Sequence, residues 1–218
     1  MAEARAIDLD TWPRREHFEH YLMRVECKYA ITVDVDVTEM VAALRESSNK
    51  SYLAQIWAIS SVVNRHAEFR MTLVNEKTPA TWDIVHPAFT VFNAERETFA
   101  NVWSPFHADF PTFHAHAADV LAEHRNATSF QPQPDMPANT FDISSIPWVS
   151  FTGFSLHMRD GWKNLLPIVT LGRYREIQGR TTMPLAIQIH HAAADGFHTA
   201  RLVQELQELF SDPSWLSR

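Results

Sequence analysis

At 218 residues and 45% hydrophobic content, the chain has the size and composition of one globular domain and no sign of broad disorder. A formal net charge of -7, with scattered basic residues, excludes a surface built to neutralise nucleic-acid phosphates but not a local patch for a phosphorylated small molecule. No apolar run approaches the roughly 20 residues of a membrane helix, and Cys27, the only cysteine, excludes an internal disulfide.

In chain order, Thr11 as N-cap and Pro13 in the first turn predict a helix over Trp12–Val25. Alternation of Ile31, Val33, Val35 and Val37 predicts a strand over Tyr29–Val37. Helices follow over Thr38–Arg45 and Tyr52–Arg65, the second carrying Leu53, Ile56, Trp57 and Ser60 at helical spacing. Short strands are expected around Met71–Val74, Ala80–Val85 and Phe89–Phe92, and a helix over Phe110–Arg125. The stretch QPQPDMP, Gln131–Pro137, holds three prolines in seven residues and reads as a loop within one domain. Strands are predicted over Trp148–Met158, Ile168–Tyr174 and Thr182–His191, the last two joined by a turn at Gln178-Gly179. An amphipathic helix over Phe197–Phe210 closes the pattern through Leu202, Val203, Leu206 and Leu209. The fold expected is α/β (α+β): a two-layer sandwich of a mixed, largely antiparallel sheet covered by helices. No Gly-rich phosphate loop is present.

The stretch most suggestive of chemistry is MPLAIQIHHAAADGFH, Met183–His198. Period-two alternation puts Leu185, Ile187, Ile189 and His191 on one side of the strand, with His191 where it gives way to Asp195-Gly196. A base there would sit on rigid backbone at the mouth of a cleft. From the residues alone, two surface histidines before an Asp195 N-cap describe the same pattern. A metal site is disfavoured, since adjacent strand residues His190 and His191 face opposite ways.

HHAAADGFH resembles the HHxxxDGxH signature of the chloramphenicol acetyltransferases, the trimeric type related to dihydrolipoamide acyltransferase cores. WPRREHFEHY, FTVF at Phe89–Phe92, ETF at Glu97–Phe99, SSIPWVSFTGF at Ser144–Phe154 and PIVTLGRY at Pro167–Tyr174 are similar to the family in the same order. The resemblance implies one acyltransferase domain over residues 1–218 that moves an acetyl group from acetyl-CoA to a hydroxyl of chloramphenicol or a similar acceptor. In the family's pattern His191 is the general base, attack on the thioester is direct and no acyl-enzyme forms. Ser144 corresponds to the oxyanion donor, Thr170 to a residue steadying the intermediate, and Asp195 to the aspartate that pairs with an arginine, here Arg14.

By the same resemblance Tyr21, Cys27, Tyr29, Phe99, Phe130, Phe154 and Leu156 line the acceptor pocket. Tyr52, Trp148 and Tyr174 align with coenzyme A contacts, and Lys50 and Arg173 are placed to meet its phosphates. A homotrimer with sites between subunits is implied, with no tightly bound cofactor, no metal, no nucleic acid and no membrane. The opening MAEARAIDLDTW has no signal-peptide pattern, so the cytoplasm is the expected location. Ala193 and Ala194 stand where Val and Cys are common, Asp142 where asparagine is, and Tyr29 where phenylalanine is frequent. The alternatives are another small hydroxyl acceptor, dihydrolipoamide, or a drug-binding protein without turnover.

Overall fold

Period-two hydrophobicity dominates the chain, and in the computed structural model, which describes residues 3–159 and 163–217, it builds one large sheet. The elements are β1 (Ala4–Ala6), α1 (Arg15–Glu19), a π-helical turn (His20–Arg24), β2 (Lys28–Asp36), α2 (Thr38–Arg45) and α3 (Ser51–Arg65). Then come β3 (Met71–Val74), β4 (Thr78–Trp82), β5 (His86–Asn93), β6 (Thr98–Trp103), α4 (Phe110–His124) and β7 (Thr140–Ile146). β8 (Ile168–Gly172), β9 (Arg175–Ile177), β10 (Arg180–His190) and α5 (Gly196–Ser211) complete the series. The large sheet has the order β2-β10-β8-β7-β5-β6, with β9 paired to β10; β1, β4 and β3 form a small second sheet. β7 runs parallel to both β5 and β8, and the other pairings are antiparallel. The expected mixed, largely antiparallel sheet covered by helices is what is found. Among the described residues no helix is long and apolar enough to cross a membrane.

Register explains the two faces of the sheet. Ile31, Ile187, Val169, Ile143, Phe89 and Val102 are successive cross-strand partners, so their side chains form one row. That row lies in a hydrophobic cluster shared with Ile56, Val63, Phe113 and Leu206 of α3, α4 and α5. Burying five fully covered side chains of that row against helices contributes roughly 1.5–3 kcal/mol each. The next row is polar or small: Thr32, Ala186, Thr170 and Ser144 are likewise partners, on the face away from the helices.

Several expected elements differ. The predicted helix Trp12–Val25 is a short α-helix followed by a π-turn, and Thr11 is no cap: its hydroxyl bonds Asp8, and Arg14 is the N-cap residue. Trp148–Met158 is not a strand; the strand is the preceding Thr140–Ile146. The later segment lies across the sheet's open face instead, where Phe154 N–H donates to Thr32 Oγ1 (3.2 Å) and Leu156 N–H to Gln188 Oε1 (2.8 Å). β1, β6 and β9 had not been anticipated, and β10 ends at His190, one residue short of His191. In the loop at 131–137, Gln133 pairs through its side-chain amide with both the N–H and C=O of Trp103.

Gly172 closes β8 where a Cβ would lie 2.6 Å from Pro184 Cγ and 2.9 Å from Phe151 Cε1. Gly172→Ala is therefore expected to destabilise the fold by about 1–3 kcal/mol, through displacement of the Phe151 segment. Urea unfolding checks this; an unchanged midpoint would show that the segment yields freely.

Candidate active site

β10 carries His191 to the edge of the helix-covered face. Its backbone N–H donates to Cys27 C=O at 2.8 Å, which extends the β2–β10 ladder by one pair beyond His190–Lys28. His191 thus keeps the facing of Ile189, and Tyr29, the cross-strand partner of Ile189, lies beside it with ring centroids 5.1 Å apart. The π-turn adds a residue to the first helix and delivers Tyr21, which stacks on the imidazole at 3.8 Å and 7°. Nδ1 of His191 is buried and has no hydrogen-bond partner among the described residues. An outside hydroxyl can therefore reach only Nε2.

The neighbouring histidine is placed differently. His190 is 2% exposed, and its Nδ1 accepts the Ala192 N–H at 3.1 Å, pinning the turn after β10. Burial, with Lys28, His191 and Lys163 nearby, pushes its pKa down to about 4. Beyond the turn, Asp195 accepts the Phe197 N–H and caps α5. Its other oxygen lies 2.6 Å from Arg14 Nη1. Arg15, by contrast, pairs with Asp10 and Glu19 on the surface. Burial alone would raise the Asp195 carboxyl, but the Arg14 hydrogen bond and His198 bring it to about 2. Asp195 thus ties α1 to the start of α5 and touches neither ring nitrogen of His191 by any hydrogen bond described.

Ser144 and Thr170 are cross-strand partners on the opposite face. Two strand spacings and five residues of rise separate Ser144 from His191, roughly 20 Å through one chain. The remaining acceptor candidates fall in three places. Tyr21, Cys27 and Tyr29 surround His191; Phe154 and Leu156 line a groove of about 490 Å³ with Tyr29, Thr32 and Gln188. Phe99 and Phe130 pack on each other at the far edge, ring centroids 5.7 Å apart, and both are exposed. Asp142 lies two residues before Ser144 on the same face of β7, its pKa raised by burial despite a hydrogen bond with Asn101.

A separate cavity of about 460 Å³ opens between α3, β5, β7 and β8. Tyr52, Trp148, Arg173 and Tyr174 line it, and Lys50 adjoins it at the start of α3. Tyr174 OH bonds Ser51 Oγ at 2.7 Å and accepts from Gln55 Nε2; burial raises the Tyr174 pKa and takes that of Tyr52 to about 12. Sequence reasoning missed Ser51 and Gln55, which carry no motif. It also missed His198 as the partner of Asp195, although the motif's last histidine was in view.

A sheet of this topology with a histidine at its edge is the fold of CoA-dependent acyltransferases. A solved chloramphenicol acetyltransferase superposes with a TM-score of 0.85 at 21% identity, covering 95% of this chain and 100% of that one. The dihydrolipoamide acetyltransferase of Azotobacter vinelandii follows at 0.68 and 17%, covering 92% and 88%. A family model described as chloramphenicol acetyltransferase matches residues 3–207. The chloramphenicol acetyltransferase of Streptomyces acrimycini is 65% identical over 210 residues, 96% of either chain, and that of Clostridium butyricum 38% over 211. The chain belongs to the chloramphenicol acetyltransferase family.

The depressed His190 pKa has a definite sign. Stability from the neutral imidazole is present above the unfolded value near 6.5 and lost as pH falls from there toward 4. Up to about 3 kcal/mol is at stake on that interval. His190→Asn keeps an acceptor for the Ala192 N–H and is expected to flatten the decline, as followed by thermal melts across pH; identical slopes would mean that other groups set acid stability.

Proposed function

We propose that this protein transfers the acetyl group of acetyl-CoA to a hydroxyl of chloramphenicol, conferring resistance to it. The observation that carries the reading is the clamped His191 imidazole, in a chain 65% identical to a chloramphenicol acetyltransferase. His191 holds its proton on the buried Nδ1 and takes the acceptor's proton at Nε2. The freed oxygen attacks the thioester carbonyl, and the Ser144 hydroxyl donates to the oxyanion that forms, with Thr170 beside it; such a donor is worth roughly 3–4 kcal/mol. The intermediate collapses with expulsion of the CoA thiolate, which the His191 imidazolium reprotonates. No acyl-enzyme forms. The Tyr52–Trp148–Tyr174 cavity takes acetyl-CoA as a co-substrate that is not tightly held, with Lys50 and Arg173 toward its phosphates.

Residues 1–218 act as one acyltransferase domain, and three copies complete the sites. The division of the site supports this: Ser144 and His191 lie on opposite faces, and Phe99 and Phe130 sit exposed on a far edge strand. A neighbouring copy presenting its open face to His191 would bring these groups together. A second reading, another small hydroxylated acceptor, is favoured by Asp142, whose half-buried carboxyl lies two residues from Ser144 on the same face of β7.

His191→Ala is expected to lose at least 10²–10⁴-fold in kcat with chloramphenicol binding retained, and Ser144→Ala about 10²-fold. His190→Ala should retain most turnover in the folded fraction. Thiol release from acetyl-CoA and mass spectrometry of the drug measure this; more than a tenth of the rate surviving in His191→Ala would remove the general base. Absence of acetylated chloramphenicol alongside turnover of another alcohol would favour the second reading.

Mixing His191→Ala chains with Ser144→Ala chains, after proven subunit exchange, should restore activity above either parent, because mixed trimers contain intact sites. No gain in exchanged trimers, or a monomer by light scattering, would place the whole site in one chain.

A further inference from the structure

The amino end of α3 shapes the cavity lined by Tyr52 and Tyr174, yet the side chain of its N-cap residue does not cap it. Lys50, the N-cap residue, is extended (φ -76°, ψ 122°) and makes no side-chain cap hydrogen bond. Ser51, whose hydroxyl is the nearest alternative cap, is committed to Tyr174 OH at 2.7 Å. The Lys50 backbone N–H instead donates to Nε2 of His114, in the second turn of α4, at 3.0 Å. The adjacent tether, from Asn49 Nδ2 to Leu216 C=O, is long at 3.5 Å. Leu121, two turns beyond His114 on the same helix face, lines the cavity itself. α4 therefore both forms one wall and holds the wall opposite. The ring of His114 rests against Phe110 (centroids 5.5 Å apart).

We infer that His114 is a positioning residue for acetyl-CoA: by accepting the Lys50 N–H it fixes the first turn of α3, and with it Ser51, Tyr52, Gln55 and the root of the Lys50 side chain. The inference rests on the reading of this cavity as the acetyl-CoA site. His114 touches no reacting atom, so its loss should move acetyl-CoA affinity and leave the chemical step alone. An amide left without its acceptor frees the turn, an effect expected to reach about five- to tenfold in affinity.

The test is steady-state kinetics of His114→Phe, His114→Gln and Trp148→Ala. His114→Phe keeps a ring against Phe110 but offers no acceptor, and should raise the acetyl-CoA KM about five- to tenfold with kcat and chloramphenicol KM within twofold. His114→Gln, whose amide oxygen can accept the same N–H, should bring the acetyl-CoA KM back within about twofold of wild type. A normal acetyl-CoA KM in His114→Phe, with Trp148→Ala raised, overturns the role of His114 while leaving the cavity assignment standing. Normal values in both variants overturn the two together, and equal damage from Phe and Gln overturns the hydrogen-bond argument. Amide exchange in the unaltered protein needs no variant: the Lys50 N–H should be protected, and exchange at the rate of a free amide overturns the inference.

Discussion

The ladder between β2 and β10 is the constraint on which the site depends. Nine paired residues, Lys28–Asp36 against Thr182–His190, fix which way every side chain of β10 points. A slip of one residue would turn Leu185, Ile187 and Ile189 out of the core. All three are essentially inaccessible, so such a slip would cost on the order of 5 kcal/mol. The burial of three aliphatic residues thereby aims a polar one: His191 inherits their facing through its own bond to Cys27. Tyr21 and Tyr29 then hold the ring from two sides.

The opposite face follows from the same register, with different chemistry. Thr170 and Ala186 are 2% and 3% exposed, on the face away from the described helices. What covers them is irregular chain around Phe154 and Leu156, whose backbone groups must find partners outside any ladder. Thr32 and Gln188 provide them from the sheet below, Gln188 both accepting from Leu156 N–H and donating to its C=O. Polar residues on this face therefore serve two ends. Some hold the covering segment, and others, Ser144 and Asp142, remain for whatever docks against the sheet. A face made for apolar packing could do neither.

How much of this the sequence disclosed follows the strength of the local signal. β10 and α2 were legible because alternation and helical spacing there agree with burial. Thr140–Ile146 was not, since Asp142, Ser144 and Ser145 dilute its alternation, while aromatics at Trp148, Phe151 and Phe154 imitate a strand next door. Pro147 and Gly153 were the signs against that strand. The π-turn at His20–Arg24 has no sequence mark, because its extra residue is set by the packing of Phe18 and Leu22, both 1% exposed. The motif residues of the site were legible only through resemblance. Ser51, Gln55 and His114 carry no motif, and their roles arise from contacts between elements distant in sequence.

Histidine shows most clearly why composition alone could not single out His191. Of the 12 histidines, His86, His114 and His190 each accept a backbone N–H, from Phe106, Lys50 and Ala192. An imidazole nitrogen that accepts such a bond must be unprotonated, and burial lowers the pKa of all three accordingly. These neutral rings satisfy backbone N–H groups that lie outside any helix or ladder bond. Among the described residues His191 makes no such bond: its Nδ1 is enclosed without a partner there, and aromatic stacking on Tyr21 orients the ring. A ring fixed in this way keeps Nε2 clear of the hydrogen bonds among the described residues, so proton transfer there would break none of them. The difference between His190 and His191 is thus one of hydrogen-bond commitment, decided by which face of β10 each residue occupies.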